Sequence, residues 1–326
     1  MIHRRTHLHA LLALLLLAVP APVPADPAPA ERQTVDDATL EQLLKLQVVQ
    51  EEKVRLVLVP ASVEDRRGRT VRGLAQQDFR LLEDQIPQTI SYFDREADEP
   101  VSVAFLLDVS GSMRQSGKLT AAKEAIRHFV QNLRPRDRFA LIAFADEQVA
   151  WITPFTSDPV LFRERLEVQE GYGQTALHDA VAATPALVDR EVLGRKAIIL
   201  FTDGVDNRST LTVREAIQHA RRVHVPIHTI AFSSLPESVL RKNPQDTNLE
   251  VLEKFSHETG GAVYVVNDPD VLKEAVAQID EELRFQYLIG YYPKRQDWDG
   301  RFRRIQVQTD RTRLIVRARQ GYYANP

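Results

Sequence analysis

The sequence of 326 residues contains no cysteine. This absence excludes disulfide bonds, thiolate metal ligands, a cysteine nucleophile and a lipid-modified amino-terminal cysteine. An excess of either charge is also missing, because 42 basic and 45 acidic residues give a formal net charge of −3. A protein that coats nucleic acid would carry a clear basic excess, so we expect no nucleic-acid partner.

Motifs of several common enzyme classes are missing as well. No segment matches G-x-x-x-x-G-K-[ST], which excludes a phosphate-binding loop of that type. No G-x-S-x-G segment frames a serine nucleophile. We therefore expect that the protein is not an enzyme.

The amino terminus has the pattern of a secretory signal peptide. Arg4 and Arg5 precede an apolar stretch at residues 8–19, and the small-x-small sequence Val-Pro-Ala ends at Ala25. The apolar run of about 12 residues is shorter than the roughly 20 that a membrane-spanning helix needs. We expect cleavage after Ala25, a secreted or periplasmic location and no transmembrane segment in the mature chain. An uncleaved membrane anchor is the alternative.

The rest of the chain divides into four segments by its sequence pattern. Residues 26–52 have the composition of a linker, and residues 99–283 alternate strand and helix patterns. Residues 53–98 and 284–326 contain short strands separated by turn signals, with three strands expected after residue 284. Neither of these two β segments has enough strands for a core of its own, so we expect them to pair in one small β unit.

Residues 99–283 predict an α/β fold. Residues 101–107 (VSVAFLL) and 196–201 (KAIILF) are continuously apolar, as strands buried on both faces are. Apolar residues recur at helical spacing over 118–133, and a second helix at 175–188 is expected to kink or break at Pro185. The alternation predicts a Rossmann-like, mostly parallel sheet with helices on both faces.

Two of the most apolar strands lead into an aspartate. Asp108 begins the segment DVSGS, which also contains Ser110 and Ser112, whereas Asp203 follows the other strand after Thr202. In open parallel sheets, ligands bind at the carboxyl ends of the strands. Carboxylate and hydroxyl oxygens suit a hard cation such as Mg²⁺, and the lack of histidine and cysteine in these loops disfavours zinc.

Three segments in this order resemble the metal-ion-dependent adhesion site of von Willebrand factor A domains. Residues 108–113 (DVSGSM) resemble the first segment, residues 173–177 (GQTAL) the second and residues 202–204 (TDG) the third. The resemblance covers residues 99–283. It therefore implies the fold of that family together with its metal site.

The resemblance implies a site for Mg²⁺, or for Mn²⁺ or Ca²⁺. Ser110, Ser112 and Thr175 would contact the metal directly, whereas Asp108 and Asp203 would act largely through water. A protein partner would complete the metal shell with the carboxylate of an Asp or Glu. The first hypothesis is therefore an exported, metal-dependent protein-binding or adhesion module. The alternatives are a scaffold or regulatory component of a cell-envelope complex with a mainly structural metal and, as third choice, a metal-dependent enzyme.

The flanking β segments are similar to a bacterial group of secreted proteins that carry such domains. The matching stretches are residues 73–79, 83–85, 287–292 and 319–323. Gln85 stands where that group often has glycine.

Other interpretations of the strand-end residues remain open. Ser110 and Ser112 could cap the following helix while Asp108 accepts backbone N–H groups. An aspartyl phosphotransferase also needs a strand-end aspartate, although it usually has further carboxylates beside it. Asp206 and Asn207 either line the rim of the metal site or belong to a solvated loop.

Histidines, arginines and tyrosines outside these loops are interpreted as structural. His224 and His228 are placed on one strand, too far apart for one ion. Period-two spacing predicts solvated strand faces for the arginines of the carboxyl-terminal segment, with an anionic partner or membrane surface as the minority alternative. The basic residues concerned are Arg301, Arg303, Arg304, Arg311, Arg313, Arg317 and Arg319. The tyrosines expected in the core and rim of the β unit are Tyr291, Tyr292, Tyr322 and Tyr323.

Overall fold

The structure, a computed structural model, describes residues 55–96, 99–146, 148–192, 194–235, 237–240 and 247–325. The expected signal peptide at residues 1–25 and the linker at 26–52 lie outside the described residues. None of the helices in the described part of the chain combines the length and apolarity needed to cross a bilayer.

Strands and helices are numbered here in chain order over the described residues. The strands are β1 (Val57–Asp65), β2 (Phe79–Glu83), β3 (Ile86–Gln88), β4 (Ile90–Glu96), β5 (Val101–Asp108), β6 (Arg138–Ala145), β7 (Gln148–Thr156), β8 (Arg195–Thr202), β9 (Ile227–Phe232), β10 (Val263–Val266), β11 (Gln286–Tyr291), β12 (Phe302–Thr309), β13 (Leu314–Ala318) and β14 (Gly321–Tyr323). The helices are α1 (Gly111–Arg114), α2 (Lys118–Asn132), α3 (Pro159–Glu167), α4 (Leu177–Glu191), α5 (Val213–Ala220), α6 (Glu237–Leu240), α7 (Thr247–Thr259) and α8 (Pro269–Arg284).

The central sheet has six strands in the order β10-β9-β8-β5-β6-β7, and only the edge strand β7 runs antiparallel to its neighbour. All eight residues of β5 are buried, because successive side chains enter opposite layers. Phe105 and Leu107 pack with helices α2, α3 and α8, whereas Ala104 and Leu106 pack with α4, α5 and α7. The predicted mostly parallel sheet with helices on both faces is confirmed.

The strand order reverses beside β5. The chain runs from β5 to β6 and β7 on one side, then returns to β8, β9 and β10 on the other. Leu107 pairs with Phe201 in the parallel register, so Asp108 and Thr202 end neighbouring strands. Diverging connections leave a crevice at the carboxyl ends of such strands, and the predicted metal-site segments begin there.

Strands from both termini form two four-stranded sheets, with the orders β13-β1-β11-β4 and β14-β12-β2-β3. Val59 of β1 pairs with Ile289 of β11, and both sheets contribute to one hydrophobic cluster that includes Phe79 and Ile305. The expectation of three strands after residue 284 is wrong, because β14 is a fourth. With three residues, β14 is too short to show the alternation by which strands are predicted.

The turn between β2 and β3 keeps a left-handed backbone. Asp84 and Gln85 have φ values of 47° and 67°. Both angles lie in the region that glycine adopts most readily, so Gln85 takes the conformation expected of a glycine at this position.

Three arginines of the carboxyl-terminal segment are buried or partly buried, so the expectation of solvated faces is wrong for them. Arg303 is fully buried, with Nη1 3.4 Å from Oε1 of Glu83. Arg317 pairs with Glu64 at 2.5 Å, and Arg319 is only 9% exposed. Acidic residues of β1 and β2 offset the cost of burying two of these guanidinium groups.

Helix α4 does not end at Pro185, so the predicted break is wrong, whereas a kink there stays a prediction. The helix continues to Glu191, and Pro185 is itself among the buried residues of the helix. The hydroxyl of Thr184 donates to the carbonyl of Ala180 at 2.7 Å, one turn earlier. Burial of the apolar face outweighs the loss of one backbone hydrogen bond at proline.

The prediction that His224 and His228 lie on one strand is wrong for His224, because β9 begins at Ile227. Pro226 precedes that strand and has no N–H group to donate to a ladder. His224 contacts Arg319, and burial followed by this positive charge lowers the pKa of His224 to about 3.

Candidate metal centre

Asp108 lies at the end of β5 and is fully buried. Its Oδ1 accepts the backbone N–H of Ser110 at 2.9 Å, and its Oδ2 accepts the hydroxyl of Thr202 at 2.7 Å. Burial raises the pKa of Asp108 to about 6; hydrogen bonds from Ser110 and Thr202 oppose this shift, and the charge of Asp203 adds to it. A bound cation would counteract the burial and keep the carboxylate ionised.

Ser110 and Ser112 present two hydroxyl oxygens next to this carboxylate, 3.1 Å apart. Ser110 is 1% exposed and directly precedes α1. Its side chain caps no backbone N–H of that four-residue helix in the described structure. The capping interpretation therefore fails for Ser110, although Asp108 does accept a backbone N–H as that interpretation requires.

Asp203 follows β8 and is held by a cation from the protein itself. Its Oδ2 accepts a hydrogen bond from Nζ of Lys118 at 2.9 Å, and its Oδ1 accepts the N–H of Val205 at 3.3 Å. The Asp203 side chain is 3% exposed, and the Lys118 side chain is 25% exposed. Lys118 is the first residue of α2, so that helix delivers an ammonium group to the strand-end carboxylate.

Thr175 lies in the loop before α4 and is 1% exposed. Its N–H donates to Oδ1 of Asn207 at 2.9 Å, and its carbonyl accepts the N–H groups of Asn207 and Arg208 at 3.1 and 3.0 Å. Oδ1 of Asp206 accepts the N–H of Leu177 at 2.8 Å. Asp206 and Asn207 therefore position the loop that carries Thr175, although Asn207 is itself exposed, as in a solvated loop.

Two backbone hydrogen bonds join the Asp108 segment to the Thr175 segment. The N–H of Gly111 donates to the carbonyl of Gly173 at 3.1 Å, and the N–H of Tyr172 donates to the carbonyl of Val109 at 2.8 Å. The two loops are thus held side by side by main-chain contacts that do not depend on side-chain rotamers.

Asp146, at the end of β6, supports the Thr175 loop from another direction. Its Oδ1 accepts the N–H of Gln174 at 2.7 Å. Gly173 has φ +65°, and a Cβ placed there would lie 2.3 Å from Oδ2 of Asp146. Glycine is therefore required at 173 by both the backbone conformation and the close approach of this carboxylate.

The side chains brought together fit a hard divalent cation by their chemistry. Two carboxylates and several hydroxyl groups offer only oxygen ligands, as Mg²⁺, Mn²⁺ and Ca²⁺ prefer. No group of three or more His, Cys, Asp or Glu side chains within the described segments could hold a metal. Hydroxyl oxygens, water and an external carboxylate would therefore have to supply the remaining ligands.

Comparison with known families agrees with this architecture. Residues 103–205 match the family model of the von Willebrand factor type A domain. Residues 103–205 are thus similar to a von Willebrand factor A (VWA) domain. The matched range begins within β5 and ends just after β8, and it contains all five residues predicted for the metal site, so the candidate centre lies within the VWA-like range.

The relatives that match this chain are distant in sequence. The chain is 26% identical over 208 residues to a UPF0353 protein of Mycobacterium avium, a match that covers 58% of this chain and 62% of that protein. It is 27% identical over 228 residues to an uncharacterized protein of Borreliella burgdorferi, covering 64% and 61% of the two chains. The chain thus spans less than two thirds of the length of these relatives.

Among solved structures, the von Willebrand factor type A protein from Catenulispora acidiphila is similar with a TM-score of 0.49 and 17% identity. That similarity covers 76% of this chain and 74% of the other.

Sequence reasoning missed two residues that shape the VWA site, Lys118 and Asp146. Asp146 has the sequence signal of a turn residue, although it follows the strand next to β5 and is thus a strand-end carboxylate as well. Lys118 had a weaker signal: a cation at the first position of a helix is unfavourable to the helix dipole, which suggests a partner elsewhere.

Proposed function

We propose that the protein is an exported, metal-dependent protein-binding module whose VWA domain holds a divalent cation. The ion would be Mg²⁺, or Mn²⁺ or Ca²⁺. When bound, the metal supplies a positive charge whose coordination shell a partner's Asp or Glu carboxylate can complete. The proposed ligand residues are Asp108, Ser110, Ser112, Thr175 and Asp203.

One observation carries the proposal more than any other. The buried carboxylate of Asp108 is fixed by Thr202 on one oxygen and by the Ser110 backbone on the other, with two serine hydroxyls beside it. Burying a carboxylate without a full counter-charge is unfavourable, as the raised pKa of Asp108 reflects. A divalent ion at this position would offset that cost.

The proposed ligand residues have different roles: some provide charge and the others provide neutral oxygen ligands. Asp108 and Asp203 provide the negative charge that attracts a cation to the strand ends. Ser110 and Ser112 offer neutral oxygens, which hold a hard ion weakly and leave room for an external carboxylate. Thr175 lies on a separate loop, from which its hydroxyl can engage when the partner binds.

Export is the part of the proposal that depends on the predicted signal peptide at residues 1–25. No residue of the site is assigned a catalytic role. Binding and not turnover is expected, because the strand-end serines have no G-x-S-x-G frame and no histidine in the site loops.

A direct test uses a short peptide with one aspartate and a matched peptide with asparagine at the same position. Mn²⁺-loaded protein should broaden the NMR signals of the aspartate peptide, because its carboxylate would join the shell of a paramagnetic ion. The asparagine peptide, and the aspartate peptide with EDTA, should show no broadening. Equal broadening of both peptides would contradict the proposal.

A second candidate function, scaffolding in a cell-envelope complex through the β unit, is favoured by an exposed apolar patch. Leu56, Leu58 and Tyr92 are 39%, 41% and 42% exposed. All three side chains surround Gly290, where an added Cβ would lie within 3.3 Å of each. Such a patch is a common feature of interaction surfaces, and in this alternative the metal is mainly structural.

Cross-linking in an envelope fraction separates the two candidates. A cross-linked partner lost with EDTA but retained by Leu58→Asp supports binding through the metal. One that survives EDTA and disappears in Leu58→Asp supports binding through the β unit.

A further inference from the structure

Lys118 forms an ion pair with Asp203, a carboxylate of the proposed metal site. Its Nζ lies 2.9 Å from Oδ2 of Asp203, whose side chain is 3% exposed. A carboxylate buried to this degree needs a counter-charge to remain stable. In the metal-free protein, the lysine provides that charge.

The position of Lys118 in its helix indicates that its main role is the contact with Asp203. Lys118 is the first residue of α2, where the helix dipole disfavours a positive charge. It follows Gly117, whose φ of 71° turns the chain into the helix. The unfavourable helix position is compensated by the interaction with Asp203, 85 residues later in the sequence.

The ammonium group also has space into which it can move. Lys118 and Asp203 border a cavity of about 260 Å³ that Val205, Leu235 and Asn248 also line. The lysine side chain is 25% exposed and has a flexible four-carbon stem. It can leave Asp203 and remain in contact with water without any change in the backbone.

We propose that Lys118 is a tethered cation that neutralises Asp203 until a divalent metal ion displaces it, and that it thereby sets the metal affinity of the site. This inference rests on the proposed metal site. A metal that arrives next to Asp203 must compete with a charge that the chain supplies at a high local concentration. The need to displace the ammonium lowers the apparent affinity for the metal, whereas the ammonium in place stabilises the metal-free domain.

The first test compares Mn²⁺ binding by calorimetry in wild type, Lys118→Met and Lys118→Arg. Removing a unit charge a few ångströms from the ion should tighten Mn²⁺ binding on the order of tenfold. Lys118→Arg retains the charge and should not bind Mn²⁺ more tightly than wild type. Lys123→Met is the matched control on the same helix, because the Lys123 ammonium donates to the carbonyl of Glu167 and not to the site.

Thermal unfolding of the same variants separates displacement from a purely structural ion pair. In EDTA, Lys118→Met should melt at a lower temperature than wild type, because Asp203 loses its counter-charge. With saturating Mn²⁺ the difference should disappear, because the metal replaces the lysine. An equal loss of melting temperature with and without Mn²⁺ would overturn the inference.

Chemical labelling uses only the wild-type protein, so its result does not depend on the stability of a variant. Acetylation of Lys118, measured by mass spectrometry, should become faster by a few fold when Mn²⁺ is added, since a lysine released from Asp203 is more accessible and reacts through its neutral amine form. Acetylation of Lys123 should not change. If Mn²⁺ binds but the labelling of Lys118 does not change, the displacement of Lys118 is wrong and the proposed metal site stands. If neither wild type nor any Lys118 variant binds Mn²⁺, the proposed metal site is wrong as well.

Discussion

The hydroxyl of Thr202 donates a 2.7 Å hydrogen bond to the carboxylate of Asp108, between the ends of neighbouring strands β8 and β5. The two residues are 94 positions apart in the sequence. The geometry of the candidate metal centre therefore depends on the parallel pairing of these strands. The same pairing brings Asp203, the residue after Thr202, to the edge of the sheet where Asp108 lies.

Removing the hydroxyl of Thr175 should weaken partner binding more than metal binding. For Thr175→Ala we expect about a tenfold loss of affinity for the aspartate peptide and about a twofold loss for Mn²⁺, because one neutral hydroxyl holds a hard ion weakly against water. Calorimetry with each ligand measures both effects, and Thr175→Ser, which retains a hydroxyl, is the control. Equal losses for peptide and metal would contradict the role assigned to Thr175.

Gly173→Ala should disturb the Thr175 loop and lower the affinity for Mn²⁺. Its Cβ would lie 2.3 Å from the Asp146 carboxylate, in addition to the strain of φ +65°. Gly194→Ala is the matched control, because Gly194 has φ +80° with no atom within 4 Å of an added Cβ. Both variants should lose stability by about 1 kcal/mol from the left-handed backbone. Only Gly173→Ala should also lose Mn²⁺ affinity, and an equal loss in both variants would argue against the loop contact.

Glu83→Leu should destabilise the β unit. Glu83 is 2% exposed and accepts hydrogen bonds from the hydroxyls of Tyr291 and Tyr322 at 2.6 and 2.9 Å. Its loss leaves the buried guanidinium of Arg303 with only the half-exposed carboxylate of Asp297, 3.4 Å away, which we expect to lower the free energy of unfolding by about 3 kcal/mol.

Urea-induced unfolding measures this change through the fluorescence of Trp298, in a Trp151→Phe background. Trp298 is suitable because the Arg303 guanidinium lies 5.3 Å from its ring. Glu83→Gln preserves a hydrogen-bond acceptor and should lose less stability than Glu83→Leu. Wild-type stability of Glu83→Leu would show that the buried ion pair contributes nothing.

Acidification should destabilise the fold through His228, which is 1% exposed with Nδ1 3.7 Å from Oε2 of Glu282. Burial lowers the pKa of His228, and this effect outweighs the attraction to Glu282, which raises it. Below the ordinary histidine pKa of about 6.5, the unfolded chain binds a proton that the folded protein excludes, so stability falls as the pH falls.

His228→Gln should therefore lose less stability than wild type between pH 7.5 and pH 5, measured by urea unfolding at both values. Some pH dependence should remain, because the pKa of His224 is lowered as well. Parallel losses in wild type and His228→Gln would contradict this account of the buried histidine.

The central sheet and the metal-site segments could be predicted from sequence because their signals are local. The apolar runs that form β5 and β8 are continuous, and the residues expected to bind metal follow them within a few positions. The edge strand β7 has a local signal too, because a turn at residues 146–148 leads into the short apolar segment 149–152. Each of these predictions depended on residues that are close together in the sequence.

Features that depend on distant partners could not be predicted in this way. The burial of Arg303 requires Glu83, 220 residues away, and the contact of Lys118 with Asp203 joins a helix start to a different strand. In the sequence, both basic residues have the pattern of solvated side chains. The three-residue strands β3 and β14 were missed because they form only through pairing with longer strands.

The most direct test of the account is calorimetric titration of Mn²⁺ into wild type and Asp108→Ala. Asp310→Ala is the matched control, because it removes one carboxylate that pairs with Arg80 on the surface of the β unit. We predict one Mn²⁺ site in wild type and in Asp310→Ala, and no measurable binding in Asp108→Ala, with unchanged circular dichroism in all three. Binding of Mn²⁺ by Asp108→Ala with wild-type affinity would contradict the assignment of the metal site.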